Sequence, residues 1–253
     1  MNVLQSIITT IKILLFIAIF TSIIYLSLYW CKYLEIFNIK NIYITGNHIT
    51  LKEDILKISK KYISQDIFLI HTDSLQKSLS DLPYVKVASV SKIFPSTILI
   101  RIEEREPLSF LKLDRLYVVD EDLTLLPLPK AKIHLNIPII SYNSDKKLKI
   151  RLLQMIENKD LVEAIQLIKN AKYNYPSIYK HLSELVIEDK EFKLITIDQG
   201  VPIYLGKGNW DYKLKVLSNF QQKAGIKNIY SSFRYIDLRW KKQIIVREKR
   251  TRG

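Results

Sequence analysis

The sequence predicts an α+β protein: one N-terminal transmembrane helix, a small module of order β-α-α-β-β, and a mostly antiparallel β domain with accessory helices. Three observations predict it. Residues 13–30, ILLFIAIFTSIIYLSLYW, are an uncharged apolar run of 18 residues, and as a helix it rises about 27 Å, close to the hydrocarbon thickness of a bilayer. Residues 36–105 switch between hydrophobic periods of two and of 3.6 residues. Residues 106–248 carry short strand-like runs divided by turn residues.

The apolar run reads as an uncleaved anchor preceded by a short segment, residues 1–12, and followed by a linker, residues 31–35. Tyr25, Tyr29 and Trp30 sit where interfacial aromatics gather, and Lys12 can reach the headgroups. A signal peptide has an apolar core of about 7 to 15 residues and then a small-residue cleavage site. Leu28, Tyr29 and Trp30 are too bulky for such a site, or for a lipoprotein signal at Cys31. Flanking charge leaves the orientation open, with Lys12 on one side and Lys32, Glu35 and Lys40 on the other. Cys31 is the single cysteine, so the globular part has no disulfide and its redox compartment stays open.

Of 39 basic residues, removing Lys12 leaves 38 against 25 acidic ones, a formal charge of +13 after the span. That excess favours acidic proteins, anionic headgroups or anionic polymers. The roughly 220 residues after the span are enough for two modest domains.

In the first module, residues 36–105, Ile42 and Ile44 have strand spacing and stop at Gly46-Asn47. Thr50 and Glu53 have capping-box spacing, which predicts a helix from Thr50 with Leu51, Ile55, Ile58 and Tyr62 on one face. Thr72 and Asp73 are the expected cap of a second helix carrying Leu75, Leu79 and Leu82, which Pro83 ends. Val85–Lys92 and Thr97–Glu103 around Phe94-Pro95-Ser96 read as a hairpin, with Ile98, Ile100 and Ile102 alternating inward.

In the second domain, residues 106–248, Leu116–Asp120 and Leu123–Leu128 flank a turn at Asp120-Glu121-Asp122. A helix follows over Asp160–Lys172 with Asp160 as the expected cap. Leu182–Glu188, Glu191–Ile197 and Val201–Leu205 form a meander. A helix over Trp210–Lys223 has Gly225 as its expected C-terminal cap, and Tyr235–Trp240 and Gln243–Arg247 are expected as closing strands around Lys241-Lys242. Residues 249–253 are left as a basic tail.

Several of these stretches together resemble one family. Asp81-Leu82-Pro83-Tyr84-Val85-Lys86-Val87-Ala88-Ser89-Val90, Phe94-Pro95-Ser96-Thr97-Ile98 and Glu104-Arg105-Glu106-Pro107 are similar to the POTRA domain of the FtsQ/DivIB bacterial division proteins. Gly200, Leu205-Gly206, Lys213-Leu214 and Tyr235-Ile236-Asp237-Leu238-Arg239 are similar to their C-terminal domain. The family's Val-Asp-x-x-Gly turn recurs without its glycine, Leu123 standing near that position. Residues 130–179 carry the weakest likeness.

The resemblance implies a non-catalytic scaffold that needs no cofactor. It implies a single pass through the cell inner membrane, a cytoplasmic N-terminus, and globular domains outside the cytoplasm at the division septum. It also implies a C-terminal domain that binds a complex of FtsB-like and FtsL-like proteins, and a POTRA module used for recruitment. The rival class is an envelope secretion or outer-membrane assembly accessory protein, against which the lack of POTRA repeats and of a barrel argues.

Catalytic patterns are weak. Ser-x-x-Lys begins at Ser74, Ser89, Ser109, Ser144 and Ser177, without the Lys-Thr-Gly or Ser-Asp-Asn that accompany it in wall enzymes. Gly200–Lys207 misses phosphate-loop spacing by one residue, and His48, His71, His134 and His181 lack zinc-ligand spacing. The segment Arg239–Arg252 has seven basic residues and one acidic one, Glu248, which suits an acidic protein or phospholipid better than nucleic acid outside the cytoplasm.

The expected partner surface is the last strand. Gln243, Ile244, Ile245, Val246 and Arg247 form it, Arg239 and Arg247 supply charge, and Trp240 supplies a large apolar contact. Neighbouring N–H groups of a strand point to opposite sides, so proline at Ile244 and at Ile245 is expected to act differently.

Overall fold

The structure, a computed structural model, describes residues 2–143, 150–224 and 229–249. The chain divides into two compact units at Glu104/Arg105.

The first unit opens with helix α1, Asn2–Tyr33. Its stretch Ile7–Tyr33 is long and apolar enough to cross a membrane, and none of it is buried in the protein. At 27 residues it exceeds the expected run at both ends and rises about 40 Å. Cys31 lies inside the helix, so of the expected linker only Leu34 and Glu35 stand beyond it. The hydroxyls of Thr9 and Thr21 donate to Gln5 O and Ile17 O, one turn back, which leaves neither exposed as a lone polar group on an apolar helix.

After α1 come β1 (Asn41–Thr45), α2 (Lys52–Ser59), a 3₁₀ turn (Lys60–Tyr62), α3 (Thr72–Ser80), β2 (Val85–Ile93) and β3 (Thr97–Glu104). β3 is central, parallel to β1 and antiparallel to β2. Ile98, Ile100 and Ile102 face Ile55, Leu75 and Leu79 of the two helices in one core, as their alternation predicts.

Neither helix cap is the expected one. α2 begins at Lys52 after Leu51, and no side chain caps it. The loop's amides instead reach a distant acceptor: the Glu104 carboxylate accepts from the backbone N–H groups of His48 (2.8 Å), Ile49 (2.8 Å) and Thr50 (2.6 Å). A capping box would send the Thr50 amide to the Glu53 carboxylate, but Glu104 takes that amide, and Thr50 Oγ1 is left buried without a partner. Thr72 is already helical, and His71 precedes it without a side-chain cap bond.

The second unit holds β4 (Pro107–Lys112), β5 (Leu116–Asp120), β6 (Leu125–Leu126), β7 (Ile139–Asn143), α4 (Lys159–Asn174), α5 (Pro176–Lys180), β8 (Leu182–Glu188), β9 (Glu191–Thr196), β10 (Pro202–Gly206), α6 (Trp210–Ala224), β11 (Phe233–Asp237) and β12 (Ile245–Glu248). One sheet runs β12-β11-β10-β9-β8-β7-β4-β5-β6. Five of its neighbour pairs are antiparallel; β4/β7, β7/β8 and β10/β11 are parallel. The last two follow from helical crossovers, α4 with α5 and then α6, since parallel neighbours need a long connection. Leu161, Ile165 and Ile168 of α4 and Leu214 and Leu217 of α6 share a core with Leu111, Leu185, Leu194 and Ile203 of the sheet.

Several expectations change here. α4 is capped by Asn158, whose side chain accepts from Leu161 N at 3.1 Å, while Asp160 lies within the first turn. The expected strand over Leu123–Leu128 shortens to β6. Leu123 has φ 65°, a geometry that glycine adopts without steric cost. Asp120 compensates, accepting from Asp122 N (3.0 Å) and Thr124 N (2.7 Å) and pairing with Arg105 at 2.9 Å. β4, β7, α5 and the parallel pairings go beyond what the sequence predicts. Gly225, Ser144 and the tail beyond Lys249 lie outside the described residues.

Candidate functional site

β12 is an edge strand, and the chain before it explains how it is placed. Leu238 N donates to Tyr204 O at 2.8 Å, fastening the end of β11 to β10. Asp237 then turns the chain. Its Oδ1 accepts from Arg239 N at 2.9 Å, and its two oxygens take Arg239 Nε and Nη2 at 3.0 Å and 2.6 Å. Burial pushes the Asp237 carboxyl up, but the bonds from Arg239 outweigh it and hold it below its ordinary value.

Arg239 is thus committed within the chain. Its guanidinium lies 5.1 Å from the centre of the Tyr204 ring, and a β-carbon on Gly206 (φ 69°) would meet Arg239 Cγ at 2.8 Å. Lys213 secures the same corner. Its Nζ donates to Leu205 O (2.6 Å) and Lys207 O (2.9 Å) and lies over the Trp210 ring. Burial pushes that ammonium's pKa down. The recurring residues Leu205-Gly206, Lys213 and Asp237 to Arg239 therefore form one structural corner that presents Trp240 and the connection into β12.

Trp240 comes directly after this corner, and 62% of it is exposed. It belongs neither to the core nor to a strand: β11 runs over Phe233–Asp237, not to Trp240. Lys242 has φ 58° and reverses the chain, and Ile244 packs against the core. Strand pairing starts only at Ile245, so Gln243 and Ile244 belong to the connection. A side-chain anchor at Ile244 ends the turn and releases the backbone after it into the ladder.

β12 pairs with β11 through Tyr235↔Arg247, Ile236↔Val246 and Asp237↔Ile245. Lys249 N donates to Ser232 O at 3.0 Å. Amides alternate along a strand, so those of Ile245 and Arg247 also turn to β11, and those of Val246 and Glu248 turn to the open edge. The bond from Leu238 N to Tyr204 O gives the same phase from the other side of β11. Every residue of β12 is exposed.

Comparison with known proteins bears on what this edge belongs to. A family model described as POTRA domain, FtsQ-type, matches residues 37–105, and one described as FtsQ/DivIB, C-terminal related, matches residues 109–246. The chain belongs to the FtsQ/DivIB family of cell division proteins. Among similar proteins, a cell division protein FtsQ from Koribacter versatilis is 25% identical over 212 residues, 81% of this chain and 59% of that protein. One from Syntrophotalea carbinolica is 24% identical, covering 84% of this chain and 74% of its own length. A cell division protein DivIB from Clostridium acetobutylicum is 29% identical over 101 residues, 40% of this chain and 41% of that protein.

Within this FtsQ/DivIB chain, the Glu-Arg-x-Pro motif has a physical meaning. Glu104 ties down the loop at 48–50, Arg105 pairs with Asp120, and Pro107 opens β4. Among the described residues, no group of three or more His, Cys, Asp and Glu side chains is placed to hold a metal.

Proposed function

We propose that the chain is a non-catalytic division scaffold of the inner membrane, with its N-terminus in the cytoplasm and both globular units outside, acting at the septum. It takes an extended segment of an FtsB-like protein, itself bound to an FtsL-like one, as an added strand along β12. The observation that carries this reading is the edge position of β12, where no strand among the described residues pairs with the side that the Val246 and Glu248 amides and carbonyls face.

Three features support it. Trp240 stands exposed at the head of the edge, and a tryptophan of this kind is enriched among binding hot spots. Ile245 and Val246 offer small apolar contacts on opposite faces. Lys241, Lys242, Arg247 and Lys249 lie in the segment that leads into and through β12, against one acid there, Glu248, a balance that steers an acidic segment toward it.

The test is a membrane pull-down with mass spectrometry, alongside a fluorescent fusion. FtsB-like and FtsL-like proteins in the captured set and rings at midcell are expected. Capture of secretion components with a uniform envelope signal would overturn the reading. An alkaline phosphatase fusion after Arg247 should be active if the orientation is as stated.

A further inference from the structure

The end of the first unit nearest α1 carries an apolar cluster that its own core leaves uncovered. Phe68 is 58% exposed, Leu69 76% and Phe94 54%, with Ile63 and Ile93 also exposed beside them. The rings are in contact: Phe37 and Phe68 centroids lie 5.1 Å apart, Phe68 and Phe94 5.0 Å. Backbone bonds bring the segments together, since Ile67 N donates to Phe37 O, Ser64 N to Ile39 O, and Lys40 N to Ser96 O. Contiguous exposed aromatics of this kind mark a contact surface.

Chain length restricts what covers it. Phe37 is part of the cluster, and α1 ends at Tyr33. Four residues span at most about 14 Å, so the cluster begins within that distance of the end of α1. The bonds Leu34 N to Trp30 O, Ile36 N to Cys31 O and Asn38 N to Glu35 O fold the connection back and shorten its reach further. Charge fits the same surface: Lys40 is exposed, Lys92 Nζ reaches Phe68 O at 3.5 Å, and Lys60 and Lys61 precede Ile63. Asp66, between the lysines and Phe68 in the chain, is engaged locally, its Oδ1 accepting from Phe68 N at 2.9 Å.

Resting on the reading of α1 as a membrane span, we propose that Phe68, Leu69 and Phe94 insert into the interfacial zone of the bilayer that α1 crosses, with Lys40 and Lys92 on its anionic headgroups. Aromatic rings and lysine stems suit that zone. The contact holds the first unit against the membrane instead of letting it swing on its short tether.

Cys31 is the chain's one cysteine, so the full-length Cys31→Ser protein accepts single fluorescent probes. Probes at Leu69→Cys, Val87→Cys on β2, and Ile19→Cys in α1 are compared in phosphatidylglycerol-containing nanodiscs with shallow spin-labelled lipids. The Leu69 probe should be quenched several-fold more than the Val87 probe, and adding Phe68→Asp with Phe94→Asp should abolish the difference. Both phenylalanines are more than half exposed, so that variant should still melt cooperatively, with Tm lowered only by the loss of the Phe37–Phe68 and Phe68–Phe94 ring contacts. Equal, weak quenching at Leu69 and Val87 with strong quenching at Ile19 overturns the docking while leaving the span intact. An unquenched Ile19 probe overturns both. Leu69 quenching that persists in the double variant also contradicts the proposal, and a Leu69 signal that appears only with protein concentration assigns the patch to a second copy.

Discussion

Arg239 Nη2 stands 2.6 Å from Asp237 Oδ2, two residues back along the chain. The pair closes the corner between β11 and the connection to β12, and Tyr204 supports its outer side. A guanidinium held this way positions Trp240, while the side chain itself stays about half exposed. Arg239→Ala should therefore lower Tm and weaken partner capture together, whereas Arg247→Ala, on the exposed strand, should weaken capture with Tm unchanged. Thermal melts and pull-downs on both variants check this.

The same pair has a pH signature. Asp237 is depressed in the folded state, so its contribution to stability is present above the unfolded value, about 3.9 for aspartate, and is lost as pH falls through the lower folded value. Asp237→Asn should melt below the wild type at neutral pH, with the gap closing as the solution is acidified past that range. A gap that stays constant with pH would remove the ion pair from the account.

Two glycines should respond differently to alanine. At Gly46, φ 83°, a β-carbon overlaps the Ile102 carbonyl oxygen, a backbone atom of the central strand that cannot move aside. Gly46→Ala should cost more than about 3 kcal/mol. At Gly206 the obstacle is Arg239 Cγ, a side-chain atom held in place by the bonds to Asp237, so Gly206→Ala should cost about 2 kcal/mol, less than at Gly46, while displacing the corner that presents Trp240. Urea unfolding measures both.

Glu104 anchors the loop between β1 and α2 from the far end of β3. Both carboxylate oxygens accept here, and the single oxygen of a glutamine amide replaces only one of them while its NH2 faces a backbone N–H, so Glu104→Gln should lose about 2 kcal/mol or more. Hydrogen exchange at His48, Ile49 and Thr50 should rise selectively. Unchanged protection there would show that the loop is held by something else.

Elements with their own periodicity were legible in the sequence. Ile98, Ile100 and Ile102 announce β3, and the meander from Leu182 to Leu205 is bounded by turn residues that make it readable. What failed was decided over distance. Thr50 and Glu53 have the right spacing for a cap, but the loop's amides go to Glu104, far along the chain. Asp160 and Asn158 are both acceptable caps, and only the start of burial at Leu161 chooses between them. β7 is a short apolar run without alternation, and it becomes a strand because β4 and β8 pair with it on either side. In Ile244-Ile245-Val246 three successive apolar residues conceal where the ladder starts. That β12 has an open side depends on which strands stand beside it, and that Trp240 is exposed follows from the Asp237–Arg239 turn; neither is a local property.

Trp240 is the side chain of this surface with the most apolar area to offer. Trp240→Ala should leave Tm unchanged and weaken capture of an FtsB-like segment by about 2 kcal/mol or more if it acts as a hot spot. Isothermal titration with that segment measures the loss, and unaltered affinity would place the tryptophan outside the interface.

The edge itself is tested most directly by moving one proline along β12. Proline removes an amide, and amides alternate between β11 and the open side. Ile245→Pro should damage the internal ladder and lower Tm. Ile244→Pro precedes the ladder and disturbs the anchor of the connection instead. Val246→Pro removes a donor that only an incoming strand can use, so it should melt like the wild type and fail to capture the FtsB-like segment in a pull-down. A Val246→Pro protein that folds normally and binds as well as the wild type would contradict strand addition at β12.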